Sequence, residues 1–306
     1  MRIVLKVPAT TANLGSGFDT LGMALSLYNI FTLKEIFDEA RFSCEVIGEG
    51  MDELRDSDSN MIVKSYKRAC EEWRVNNPKG FALESCNAVP LNRGLGSSST
   101  AVVAGVVLAN LICDLNKPEA ELLRVMTLIE GHPDNVVPCF IGGMTVSCWD
   151  GESLRYVRLP ALPEDLNVIA AVPDFQVHTE DARKILPESV PFRDAVFNVS
   201  HASILCAAWA MGRWDLLRVG MEDRLHQPHR AKLFPGETGE KFLREIANHP
   251  DCVATAISGS GPTMIAIVHG KSGKLASAMC KIFTEGNAAS HFFVLNCAPS
   301  GTVIER

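Results

Sequence analysis

The sequence predicts an α+β fold in two domains, on three observations. Strand-like and helical segments interleave along 306 residues, of which 47% are apolar, enough to fill two cores. Glycine- and hydroxyl-rich loops sit beside apolar runs at three widely separated places. Past the turn signal Asp150-Gly151 the pattern changes to one strand, then Ala-, Leu- and Trp-rich helices, then strand–loop–strand–helix–strand, which suits a small α+β unit. The expected domains are residues 1–160 and 161–306, with the join near Pro160–Leu166.

Arg2–Pro8 reads as a strand before the first glycine loop, with Leu21–Leu27 and Ile30–Ile36 as two further extended segments. Ser59–Trp73 has helical spacing through Met61, Ile62, Val63, Tyr66, Ala69, Cys70 and Trp73. Phe81–Val89 is a strand that leads into the second glycine loop, with helix Ser98–Cys113 after it. Lys117-Pro118-Glu119 opens helix Ala120–Glu130, which stops at Gly131-His132-Pro133, and Gly142–Trp149 is a strand. Leu166–Val172 is the next strand, followed by helices through Val219. Val253–Ser258 and Met264–Val268 flank the third loop, and helix Ser272–Glu285 precedes strand His291–Leu295.

A net charge of −7, with no basic run, argues against nucleic acid as a partner. No apolar stretch reaches spanning length, and Ile3–Val7 after Met1-Arg2 is too short for a signal-peptide core, so a soluble, cytoplasmic protein with no membrane partner is expected. None of the ten cysteines forms a Cys-x-x-Cys pair, and most lie in apolar surroundings, as reduced core thiols do. His226 and His229 have a spacing that fits one helix face, but Pro228 lies between them and no further ligand follows, so no transition metal is expected.

The most informative stretch is Pro90-Leu91-Asn92-Arg93-Gly94-Leu95-Gly96-Ser97-Ser98-Ser99-Thr100, which runs directly into an apolar helix. Glycines let a backbone approach an oxyanion, a Ser or Thr can cap the helix, and the helix start offers free N–H groups to a phosphate. No Gly-Lys-Ser/Thr follows, so this is not a Walker A loop, and Ser99 replaces the third glycine of a dinucleotide fingerprint. Taken alone, the segment reads equally as a capped helix after a tight turn. The other two loops are Pro8-Ala9-Thr10-Thr11-Ala12-Asn13-Leu14-Gly15-Ser16-Gly17-Phe18-Asp19 and Ile257-Ser258-Gly259-Ser260-Gly261-Pro262-Thr263.

This trio resembles the GHMP small-molecule kinases over nearly all of the chain. The resemblance implies a ribosomal protein S5-like N-terminal ATP-binding domain and a ferredoxin-like C-terminal domain. The first loop is similar to that of the branch that phosphorylates homoserine. So are Glu130-Gly131-His132-Pro133-Asp134-Asn135-Val136, Thr179-Glu180-Asp181-Ala182-Arg183 with Leu186-Pro187, and His226-Gln227-Pro228-His229-Arg230. The activity implied is ATP-dependent phosphorylation of the side-chain hydroxyl of L-homoserine, a step of threonine biosynthesis, by a homodimer that uses ATP and Mg2+. Another amino-alcohol or threonine kinase, or a silent nucleotide sensor, is the alternative.

For ATP the resemblance implies Pro90, Arg93, Gly94, Leu95, Gly96, Ser97, Ser98, Ser99 and Thr100, with Gly259 and Gly261 closing over the phosphates and Asn60 bordering the adenine. It places the cation on Ser98 and Glu130; choosing Ser98 over its neighbours rests on motif register. Homoserine is a zwitterion, and a guanidinium fork suits its carboxylate. Arg183 and Arg230 match the carboxylate readers, Asp19 the ammonium partner, and Asn13 and His132 neighbouring polar contacts. Asn135 matches the residue that orients the hydroxyl, and Thr179 a further active-site position. No Lys–Asp base pair is matched, which leaves positioning and charge stabilisation, with Asp134 and His132 as alternative bases by chemical type. One by one, Asp19 as a helix cap, Asn13 as a loop brace and either arginine as a salt-bridge partner stay open.

Overall fold

The computed structural model describes residues 3–54 and 59–306. Its first half contains β1 (Ile3–Ala12), β2 (Leu21–Phe37), β3 (Phe42–Gly48), α1 (Met61–Glu72), β4 (Gly80–Asn87), α2 (Ser97–Ile112), α3 (Glu119–Glu130), α4 (Pro133–Ile141), β5 (Met144–Trp149) and β6 (Leu154–Leu159). The second half contains β7 (Leu166–Pro173), α5 (Thr179–Lys184), α6 (Phe192–Ala210), α7 (Leu217–Gly220), α8 (Gln227–Arg230), α9 (Thr238–Ala247), β8 (Cys252–Ile257), β9 (Met264–His269), α10 (Gly273–Glu285), β10 (Ser290–Leu295) and β11 (Val303–Glu305).

The larger sheet has the order β11-β1-β2-β4-β3, with β5 added to β2 and β6 to β5. Every pair is antiparallel except β3 with β4. Helices α1 to α4 cover it, and Leu5, Val7, Phe31, Tyr66, Phe81 and Val106 are among the residues that fill the core between them. The smaller sheet, β10-β7-β9-β8, is wholly antiparallel, and α9 and α10 pack on it through Phe242, Ile246, Met279 and Phe283. A third core joins the halves: Leu14, Met23 and Leu95 meet Val168, Trp209 and Ile265. Because β11 returns to pair with β1, the last residues of the chain lie on the larger sheet.

Four expectations change. The first strand runs on to Ala12, because Ala9 to Ala12 are buried and pair with β2, so half of the first loop is strand; Arg2, where that strand was expected to begin, lies outside the described residues. Leu21–Leu27 and Ile30–Ile36 are one strand, since Tyr28 and Asn29 pair with Pro8 and Val7. The stop at Gly131 is real, with φ +89° there, but Pro133 opens α4 at once instead of leading to a loop. β3 and β6 carry half-buried alternating residues that the periodicity did not separate from loop. All ten cysteines are free thiols, and no helix among the described residues is long and apolar enough to cross a membrane.

Candidate active site

The start of α2 is shaped by two left-handed glycines. Gly96, with φ +69°, is the N-cap and makes no side-chain cap bond, so the expected hydroxyl cap is absent and the first-turn N–H groups have no side-chain cap. Uncapped N–H groups and the helix dipole together favour an anion. At Gly94, with φ +74°, a Cβ would stand 2.2 Å from the Ser258 carbonyl oxygen, so only glycine lets the second loop lie against the third.

The three loops are bonded to one another. Thr10 N–H donates to the Leu95 carbonyl at 3.1 Å, and Gly259 N–H to that of Ala12 at 3.1 Å. The Ser258 hydroxyl lies 2.6 Å from the Gly94 carbonyl and 2.9 Å from Thr11 Oγ1. Asn13 Nδ2 donates to the Gly259 carbonyl at 3.0 Å, while its Oδ1 accepts from Asp19 N–H at 3.0 Å. Asn13 therefore braces its loop as well as facing the site.

A cleft of about 600 Å³ opens where these loops meet. Gly94, Gly96 and Ser97 to Ser99 form one wall, and Asn13 and Asp19 a second. Glu130, His132, Asp134 and Asn135 line it from the α3–α4 junction, and Thr179, Arg183, Arg230 and Gly259 from the second half. Next to it is a more apolar cavity of about 690 Å³, bordered by Asn60, Met61, Phe31, Leu91 and Thr100; Asn92, Ser97 and Ser98 line both. Asn60 also caps α1, accepting from Ile62 N–H at 2.9 Å. Arg93 lines the cleft, whereas Pro90, Leu95 and Gly261 line neither cavity. Leu95 is wholly buried in the core that joins the halves.

Charges in the cleft are arranged in two groups. Arg183 grips Asp19 with both prongs, at 2.8 and 3.0 Å, and the carboxylate raises the arginine pKa. Arg230 is buried on α8 and donates to the Gly259 carbonyl at 2.8 Å, and both guanidinium groups lie over the Phe18 ring. Burial, then the nearby Arg183, lowers the Arg230 pKa to about 10. His226, beneath it, is within 2.7 Å of the Gly15 carbonyl and stacks on Phe18; burial pulls its pKa down.

The second group surrounds Glu130. Ser99 donates to it at 2.6 Å, and burial pushes the carboxyl pKa up against the opposing effects of His132 and Ser99. His132 Nδ1 meets Asp134 Oδ1 at 2.5 Å. Burial disfavours the charged ring, but the Asp134 and Glu130 carboxylates prevail and push His132 up to about 9. Asn135 Oδ1 accepts from the Thr10 hydroxyl at 2.7 Å, which fixes its amide.

A buried carboxylate beside serine hydroxyls, with no hydrogen bond from Lys or Arg among the described residues, is the oxygen donor set that a magnesium ion takes. Ser98 lines the cleft with Glu130, yet it is Ser99 that bonds the carboxylate. Asp19, His132 and Asp134 present a second set of ligand atoms within 4.8 Å of one another.

Sequence reasoning did not single out several supporting residues. Thr10 holds Asn135, Ser258 bridges two loops, and Asn29 donates to Thr100 while accepting from Ala88 and Val89 N–H. Asp223 accepts from His226 and Gln227 N–H and so caps α8. Thr10 and Ser258 stood within quoted motifs; Asn29 and Asp223 gave no signal short of the fold.

The family model for the GHMP kinases N terminal domain matches residues 60–143. A homoserine kinase of Carboxydothermus hydrogenoformans is 42% identical over 267 residues, 87% of this chain and 84% of that protein. The homoserine kinase of Persephonella marina is 37% identical over 98% of this chain and 97% of its own. The crystal structure of homoserine kinase from Cytophaga hutchinsonii superposes with a TM-score of 0.86 at 28% identity, covering 99% of this chain and 97% of that one. With the fold, the cleft and these relatives in agreement, the chain belongs to the homoserine kinases, within the GHMP kinases.

Proposed function

We propose that this chain transfers the γ-phosphoryl group of ATP to the side-chain hydroxyl of L-homoserine, forming O-phospho-L-homoserine on the route to threonine. The observation that carries the substrate is the Asp19–Arg183 pair, with Arg230 beside it, in the cleft that the α2 N-terminus opens into. A zwitterion can divide such a pair without leaving a net charge. Its ammonium replaces Arg183 on Asp19, and its carboxylate takes the freed fork of Arg183 together with Arg230. A simple carboxylic acid satisfies only the arginines and leaves Asp19 uncompensated, and a neutral sugar offers a charge to neither side.

The acceptor hydroxyl is oriented by Asn135, itself fixed by Thr10. The phosphates lie against Gly94–Thr100, with adenine in the apolar cavity near Asn60 and Gly259 and Gly261 behind them. Glu130 with Ser98 or Ser99 would hold Mg2+, which would supply charge neutralisation on the phosphate oxygens. His132, pushed up to about 9 by the nearby carboxylates, is protonated at neutral pH, so it stabilises negative charge in the cleft and does not accept a proton. Thr179, at the start of α5, closes the same wall.

In the same reading residues 1–160 bind ATP, residues 161–306 complete the substrate site, and the protein works in the cytoplasm as a homodimer. ADP release with Mg-ATP, measured in parallel on homoserine, threonine, mevalonate and galactose, tests it. Turnover selective for homoserine is expected. Preference for threonine overturns the acceptor, and ATP binding without turnover on any acceptor favours a sensor.

A further inference from the structure

The first glycine loop carries an aromatic ring set among charges. Phe18 is half-buried next to Asp19, and it does not line the cleft. The Arg183 guanidinium lies over its ring at 5.7 Å from the centroid, and that of Arg230 at 5.0 Å. An aromatic face carries partial negative charge and attracts a cation within about 6 Å. His226 stacks on the same ring, with centroids 5.1 Å apart and planes at 26°. Its Nε2 lies 2.7 Å from the Gly15 carbonyl and its Nδ1 3.4 Å from Arg230 Nη1. These two partners assign the ring proton to Nε2 and leave Nδ1 to accept from the arginine.

Backbone hydrogen bonds set the place of the ring. Gly17 N–H donates to the Asn13 carbonyl at 3.0 Å, and Leu21 N–H to the Gly17 carbonyl at 2.9 Å. Between them Asp19 takes a left-handed φ of +52°, with its N–H on Asn13 Oδ1. One tight turn therefore presents both the carboxylate that Arg183 grips and the ring that it lies over. Arg230 has further anchors in the Gly259 carbonyl at 2.8 Å and the Ala182 carbonyl at 3.3 Å. Arg183 is held more lightly: among the described residues its guanidinium hydrogen-bonds only to Asp19, and α5, which carries it, has six residues. When a substrate ammonium takes Asp19, both of those bonds go. The freed fork then feels the like charge of Arg230, and repulsion and rotamer freedom both act to carry it out of the cleft. The Phe18 face is the contact that stays.

We propose that Phe18 is a positioning residue, whose ring holds the Arg183 and Arg230 forks in place for the substrate carboxylate once Asp19 has been given up to the ammonium. The inference rests on the functional reading above and adds to it a side chain that acts through the two arginines. Its effect is therefore confined to acceptors that carry a carboxylate.

Steady-state kinetics of the full chain with Mg-ATP test the proposal on L-homoserine and on 3-amino-1-propanol, which has no carboxylate. Phe18→Leu keeps an apolar side chain but removes the π face, and is expected to raise KM for homoserine about tenfold, with kcat and KM for ATP within about threefold. Its kcat/KM for 3-amino-1-propanol should stay within about twofold of wild type, and Phe18→Tyr should return the homoserine KM to near the wild-type value. Phenylalanine bearing one, two or three ring fluorines at position 18 keeps the shape and drains the π face stepwise, so the homoserine KM should climb with each fluorine. A homoserine KM that is flat across the fluorinated series overturns the proposal, even where Phe18→Leu fails to fold. Equal losses with both acceptors also overturn it, because packing alone would produce them. A wild type that turns over no homoserine overturns the functional reading itself, and this inference with it.

Discussion

The two ends of the cleft are built in different ways. In the proposed reading the phosphate end is one contiguous stretch whose working parts are backbone: two left-handed glycines and the uncapped start of α2. The acceptor end is made of side chains from segments more than a hundred residues apart, with Asp19 reaching Arg183 and Thr10 reaching Asn135. A backbone site fails when its conformation is forbidden. A side-chain site fails one functional group at a time, and each loss should fall on one substrate only.

The largest effect that would break this contrast is at Gly94. A β-carbon there meets a backbone oxygen at 2.2 Å in a left-handed conformation, so Gly94→Ala should cost both fold stability, by about 1–3 kcal/mol, and nearly all turnover. Thermal unfolding with single-turnover kinetics checks this; an active variant of wild-type stability would show that the loop does not need its conformation. Next comes Glu130→Gln, expected to lower Mg-dependent turnover by about 10²-fold without loss of folding, because it removes a buried charge and keeps the shape. Activity that follows magnesium concentration as the wild type does would remove Glu130 from the cation site.

At the acceptor end, Arg183→Met and Asp19→Asn should each raise KM for homoserine by roughly 10- to 100-fold while leaving KM for ATP within about twofold, since each deletes a charged hydrogen bond to one substrate. Equal changes in both constants would mean that the two ends are not separable. The smallest effect concerns His226. Its folded-state pKa is depressed below the unfolded value of about 6.5, so the unfolded chain takes up more protons as pH falls. Its contribution is therefore fully present above about pH 6.5 and is lost as pH drops toward the depressed value. His226→Asn should flatten the fall in stability between pH 7 and 5, measured by urea unfolding, and an unchanged slope would contradict neutral burial of the ring.

The same contrast explains what could be read from the chain. The cradle was legible because its residues are neighbours and glycine has a definite backbone meaning. The expected serine cap was not correct, because Gly96 itself takes the cap position and leaves the N–H groups without a side-chain cap. The set Asp19, Arg183, Arg230 and Asn135 came from resemblance, because no spacing rule links residues that only the joining of β1, α4, α5 and α8 brings together. That Asp19 and Arg183 grip each other was not foreseen; only the geometry shows these two opposite charges paired in the same cleft. The helix opened by Pro133 was hidden by its own start signal, which directly follows a glycine stop. Asn29 was invisible for another reason: it interrupts an apolar pattern, and its buried amide finds partners only once β2, β4 and α2 have met.

The central claim is that the acceptor end reads both charges of a zwitterion. The most direct test compares kcat/KM for L-homoserine with that for 4-hydroxybutyrate, which lacks the ammonium, and 3-amino-1-propanol, which lacks the carboxylate. Homoserine should exceed each truncated acceptor by at least about 10²-fold, because either one leaves Asp19 or the arginines unpaired. Comparable turnover of either truncated acceptor would contradict the assignment of Asp19, Arg183 and Arg230 to the two ends of one substrate.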